Sequence, residues 1–204
     1  PDNITELGRI PMVCEAIKIA KQEAPDPAIG GWILGPFTMA GQLLELDLLL
    51  KGVFKQKDMV EQVMDRITDM LIKVGKAYKD AGCDYMTLRE MATGTDLLSP
   101  RTWKKVIQPR VKKILDSWES PKVLHICGAT DLIVPMMNEC GADALSFDIK
   151  NNLLETREKV GDDMLLFGNF DVYELPCKEE TTAEEAVEAI KVNIDGTVDA
   201  VWPG

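Results

Sequence analysis

Six short apolar runs recur along this 204-residue chain, at residues 28–34, 84–88, 122–126, 143–147, 164–167 and 198–202, with helical stretches between them. Strands joined through a helix run parallel, because a tight hairpin leaves no room for one. The runs are continuously apolar rather than alternating, as suits strands covered on both faces. An α/β fold follows, and both a doubly wound sheet and a (β/α)8 barrel accommodate it. The chain opens on a helix and closes on a strand, so one more strand at each end would complete eight. The preferred architecture is therefore a partial barrel of about six strands, a single domain over residues 1–204.

The helices carry their own signals. Residues 9–23 set Ile10, Val13, Ala16, Ile17 and Ala20 on one stripe, and a second helix is expected over 39–50. Residues 58–80 keep Val60, Val63, Ile67, Met70, Leu71, Val74 and Tyr78 at helical spacing, with Gly82 as the stop. Ser99-Pro100 opens the next helix as cap and first residue, and Pro109 should kink or split it. Further helices are expected over 131–139 behind Thr130 and over 152–159. Thr182-Ala183-Glu184-Glu185 is a capping box for another.

The net charge of −11 argues against a nucleic-acid partner, which needs clustered Lys and Arg. No apolar run approaches the length that spans a bilayer, and Pro1-Asp2-Asn3-Ile4 does not begin a signal peptide. A cytoplasmic location without membrane attachment is the expectation. Five cysteines, at 14, 83, 127, 140 and 177, are odd in number and irregular in spacing, so a disulfide framework is not expected.

Val123-Leu124-His125-Ile126-Cys127-Gly128 holds the only histidine of the chain, two residues from a cysteine. Strand residues i and i+2 share a face, so His125 and Cys127 can offer a nitrogen and a sulfur to one ion, and Gly128 turns the backbone away. That donor pair suits zinc, although a catalytic zinc takes three protein ligands and this motif supplies two. Glu90, Asp148 and Asn169 also fall at the carboxyl ends of expected strands, where α/β folds build their sites. The plainer alternative is that they cap helices or satisfy loops. Asp148 suits three roles: a partner holding the imidazole, a replaceable fourth ligand, or a loop carboxylate. Gly35-Pro36-Phe37-Thr38 reads as an ordinary turn on the same side. There is no P-loop, Gly-x-Gly-x-x-Gly or Gly-x-Ser-x-Gly.

His125-Ile126-Cys127-Gly128, with Gly141-Ala142-Asp143-Ala144-Leu145-Ser146-Phe147-Asp148 and Gly168-Asn169, resembles the uroporphyrinogen decarboxylase superfamily. Within it the His-x-Cys is similar to that of the zinc-dependent methylcobamide:coenzyme M methyltransferases of methanogenic archaea. Gly35-Pro36-Phe37-Thr38 and Thr95-Asp96-Leu97-Leu98-Ser99-Pro100 share the likeness, which runs over nearly the whole chain.

The resemblance implies a TIM barrel with zinc at its carboxyl mouth, held by His125, Cys127 and a second cysteine that follows a Pro-Gly. The sequence ends at Trp202-Pro203-Gly204, one residue before that cysteine is expected, and none of Cys14, Cys83, Cys140 or Cys177 matches its place. It further implies methyl transfer, in methanogenesis, from a methylated corrinoid carried by a partner protein to the thiol of coenzyme M. Asp148 is then the candidate catalytic group, occupying the open zinc position before substrate arrives, and Glu90 and Asn169 are candidates for substrate binding. The rivals are a metal-free porphyrinogen decarboxylase and an inactive binding module. A partial barrel would also leave strands 28–34 and 198–202 as open edges, which invites oligomerisation.

Overall fold

The computed structural model describes residues 2–169, 182–185, 187, 188 and 191. Five strands, β1 (Gly30–Leu34), β2 (Tyr85–Arg89), β3 (Lys122–Ile126), β4 (Ala144–Phe147) and β5 (Leu165–Phe167), form one sheet. Every pairing is parallel and the spatial order is the chain order. Strict succession is the topology of a barrel, whereas a doubly wound sheet reverses direction at a switch point. The expected strand over 198–202 lies outside the described residues.

The helices are α1 (Ile10–Glu23), α2 (Pro36–Leu44), α3 (Leu46–Lys55), α4 (Lys57–Ala81), α5 (Pro100–Thr102), α6 (Gln108–Ser117), α7 (Val134–Asn138) and α8 (Leu153–Val160). The longest, α4, buries Val60, Met64, Ile67, Leu71, Val74 and Tyr78, a stripe at helical spacing. Against that core the strands turn Ile33, Met86, Leu88, Leu124, Ile126, Leu145 and Phe147. The opposite face is not covered to the same degree: Trp32 is 51% exposed and Phe167 49%. On that face the central strands still bury Val123 and Ala144, so among the described residues burial is two-sided at the middle of the sheet and one-sided toward β1 and β5.

Two helical expectations are corrected, and a third, the break at Pro109, is met in a specific form. The single helix expected over 39–50 is two, α2 and α3, separated by Glu45 at φ 64°. The bend lets Phe37 and Ala40 of α2 and Leu49 and Val53 of α3 all reach the core. The helix expected over 131–139 begins only at Val134, because Thr130 is engaged elsewhere: its N–H and hydroxyl both donate to Asn151 Oδ1, at 2.8 and 2.6 Å. The break expected at Pro109 takes the form of a π-helical turn, Trp103–Ile107, between α5 and α6. Proline has no N–H to give the preceding turn, and the wider turn absorbs the mismatch while burying Trp103, Val106 and Ile107.

The capping signals at Ser99 and Thr182 are made as expected. Ser99 Oγ accepts from Thr102 N at 3.1 Å. Asn152, expected as the first residue of its helix, is instead the cap, its Oδ1 accepting from Leu154 N and Glu155 N. In the box at Thr182, its Oγ1 accepts from Glu185 N while Glu185 Oε2 accepts from Thr182 N. At the amino ends of the strands one device appears twice. Asp84 Oδ2 accepts the N–H of Ile29 at 2.7 Å, and Asp143 Oδ2 accepts that of Lys122 at 2.8 Å, so each carboxylate ties its strand to the preceding one.

Candidate metal centre at the carboxyl ends of the strands

Lateral pairing sets the site. Leu34 pairs with Arg89, Arg89 with His125, His125 with Ser146 and Ser146 with Phe167, one row across four strand pairs. Paired residues of parallel strands leave the sheet on the same side. Two residues further along each strand stand Cys127, Asp148 and Asn169.

His125 Nε2 lies 3.0 Å from Cys127 Sγ, as expected for i and i+2 on a strand. The other ring nitrogen, Nδ1, lies 3.0 Å from Ser146 Oγ. A hydroxyl accepts as readily as it donates, so Ser146 fixes the ring with Nε2 turned toward the sulfur. Burial, aided by the positive charge of Arg89, pushes the imidazole pKa below its ordinary value, favouring the neutral ring whose lone pair a metal needs. Burial and the Asp148 carboxylate push the Cys127 thiol up, while Arg89 pulls it down.

These two donors fit zinc in kind and nearly in distance. Nitrogen and sulfur on a tetrahedral zinc stand about 3.6 Å apart, so the observed 3.0 Å needs only a slight opening of the pair. Among the described residues no third His, Cys, Asp or Glu joins them. Cys83 and Cys140 are buried away from the site, and burial lifts the Cys140 thiol to about 12. Cys177 lies outside the described residues.

Asp148 does not hold the imidazole. Its Oδ2 accepts the N–H of Gly128 at 3.0 Å and its Oδ1 that of Lys150 at 3.1 Å, so it fixes the turn leaving β3. Gly128 has φ +85°, and a Cβ there would stand 2.9 Å from Asp96 Oδ1. A side chain there would be strained by that φ and would displace the Asp96 carboxylate. Asp96 in turn pairs with Lys150 at 3.1 Å, and Thr95 donates through both N–H and hydroxyl to Ala129 O. The Thr95-Asp96 motif therefore laces the loops after β2, β3 and β4.

Glu90 is fully buried, and its carboxylate accepts from Phe37 N, Thr38 N and Thr38 Oγ1 at 2.8, 3.0 and 2.7 Å. It caps the first turn of α2, and Gly35-Pro36-Phe37-Thr38 is the receptor for it rather than an ordinary turn. A Cβ on Gly35 would run into the Glu90 side chain. Burial outweighs those three donors and raises the Glu90 pKa to about 7. Asn169 Nδ2 donates to the carbonyls of Asp148 and Asn151, at 3.2 and 2.6 Å, and binds the end of β5 to the loop after β4.

Two site residues escaped the sequence reading. Ser146 was visible as part of an apolar strand, but its contact with His125 depends on register. Asn151, 5% exposed, takes both Thr130 donors and gives its own to the carbonyls of Gly128 and Asp148. Its signal was a polar residue shortly after a strand, which does not distinguish a hub from a solvated loop.

Comparison with known proteins settles the family. The uroporphyrinogen decarboxylase (URO-D) family model matches residues 1–199. The chain belongs to that family. Its sheet is a section of a TIM barrel. A Methanosarcina barkeri protein described as Methylcobamide:CoM methyltransferase MtaA is 34% identical over 208 residues, spanning all of this chain and 60% of its own length. A Methanosarcina mazei protein described as Methylated-thiol--coenzyme M methyltransferase is 27% identical, over 86% of this chain and 48% of its own length. A solved structure, described as a methyltransferase from Methanosarcina mazei, superposes with TM-score 0.81 at 33% identity, covering 93% of this chain and 58% of that one. The chain thus spans about three-fifths or less of the curated relatives it matches. Among the described residues no helix is long and apolar enough to cross a membrane.

Proposed function

We propose that this URO-D family member is a methylcobamide:coenzyme M methyltransferase, moving a methyl group from a methyl-Co(III) corrinoid on a partner protein to the thiol of coenzyme M. The observation that carries the reading is the convergence of His125 Nε2 and Cys127 Sγ at the carboxyl end of β3, with the imidazole held by Ser146. The names of the similar proteins support it.

In this reading His125 and Cys127 hold zinc together with a further cysteine that the described residues do not include. Zinc bound there would lower the pKa of the substrate thiol and keep it a nucleophile near neutral pH. His125 contributes a neutral nitrogen, Ser146 keeps that nitrogen aimed, and Cys127 contributes negative charge once its proton is lost. Asp148 holds the Gly128 turn in place, and its carboxylate keeps free lone pairs with which it could serve as a replaceable ligand. Asn169 keeps the loops after β4 and β5 together, and Glu90 anchors α2 at the site's margin. Overall, sulfur gains the methyl group and loses its proton, while the bonding pair of the cobalt–carbon bond remains on cobalt as Co(I).

Metal analysis of the protein purified without chelators tests the reading. About one zinc per chain, lost with methyl transfer in His125→Ala and Cys127→Ala, is expected. A metal-free protein that decarboxylates a porphyrinogen would replace this reading with the other chemistry of the family.

A further inference from the structure

Among the described residues Arg89 has no carboxylate partner. In a chain of 34 acidic and 23 basic residues, its half-buried guanidinium makes no hydrogen bond or ion pair among the described residues. Arg110 and Lys150, by contrast, each meet an aspartate. The guanidinium lies instead over the ring of Trp32, 4.4 Å from its centroid. Stacking uses the face of the cation and leaves the N–H groups at its edge for an acceptor in its plane. Arg89 is the lateral neighbour of His125, and the two side chains rise from the same face of the sheet. Its charge is felt at both His125 and Cys127.

We propose that Arg89, seated on Trp32, receives the anionic end of the thiol substrate while the sulfur lies at His125 and Cys127. This rests on the methyltransferase reading for the sulfur, but the anion contact itself needs neither metal nor thiol. A sulfonate or carboxylate accepts two parallel, charge-assisted hydrogen bonds from a guanidinium, whereas the hydroxyl of a neutral thiol of the same length accepts at most one, without the charge. Arg89 would therefore select an acidic short-chain thiol over its uncharged analogue. Trp32 would hold the fork in position before substrate arrives.

Ethanesulfonate, which carries the anion without a thiol, is the direct probe. Its titration should change tryptophan fluorescence in the wild type, and the signal should vanish in Trp32→Phe. Arg89→Ala should weaken ethanesulfonate binding by about 100-fold, the scale of hydrogen bonds to a charged group. Arg89→Lys keeps the charge without the fork and should fall between the two. In turnover, the preference in kcat/KM for 2-sulfanylethanesulfonate over 2-sulfanylethanol should drop about 100-fold in Arg89→Ala, mainly through KM. The proposal is overturned if ethanesulfonate binds equally well to wild type and both Arg89 variants, or if the preference is unchanged. Ethanesulfonate binding that depends on Arg89 in a protein without zinc or methyl transfer would sink the methyltransferase reading and leave the anion site standing.

Discussion

Ser146 Oγ stands 3.0 Å from Nδ1 of His125, one strand away and paired with it in register. The contact decides which ring nitrogen faces Cys127. A group that orients a metal-binding histidine is worth about 10- to 100-fold in metal affinity. Ser146→Ala should therefore bind zinc about 10- to 100-fold more weakly in a chelator competition, with an unchanged circular dichroism spectrum. Ser146→Thr, which keeps the hydroxyl, should restore most of the affinity.

Cys127→Ser separates shape from charge. Serine nearly keeps the volume of the side chain but does not form an anion near neutral pH. Zinc content after dialysis should fall well below one per chain, and methyl transfer to coenzyme M should fall at least about 100-fold. Full zinc retention in this variant would exclude Cys127 as a ligand.

Glu90 should make stability depend on pH. Its ordinary pKa of 4.5 rises to about 7 in the fold, so the folded state holds a proton that the unfolded chain has released across that window. The stabilising contribution is complete below pH 4.5 and is lost as pH rises through about 7. The loss is at most roughly 3 kcal/mol. Urea melts from pH 4 to 8 should show this downward slope in wild type and a flatter one in Glu90→Gln.

Asp143→Ala removes the carboxylate that accepts the Lys122 N–H and the Ser120 hydroxyl at the start of β3. A loss of about 1–2 kcal/mol is expected, read as a lower urea midpoint. Zinc affinity should hardly change, because this contact lies at the opposite end of the strands from His125.

Asn151→Ala should act on both stability and site. It strands the Thr130 N–H and hydroxyl and frees the carbonyls of Gly128 and Asp148. Roughly 2–3 kcal/mol of stability should be lost, and zinc should bind more weakly as the turn after Cys127 loosens. A variant as stable as wild type would show that water replaces the side chain without cost.

What the chain order carries by itself is local. Strand period placed His125 and Cys127 on one face, helical period marked the α4 stripe, and Ser99 and Thr182 announced their caps, because each depends on residues only a few positions apart. Alternating elements gave the α/β class and left barrel and doubly wound sheet both open until the spatial order of the strands decided. The rest depended on partners far along the chain. Glu90 finds Phe37 and Thr38 more than fifty residues away, and Thr130, expected just ahead of a helix, gives its N–H and hydroxyl to Asn151. Arg89 comes beside His125 and over Trp32 only when three strands are in register. Sequence period says which way a side chain points, whereas register and loop closure choose what it meets, and hydrogen bonds and ion pairs are made only with what is met.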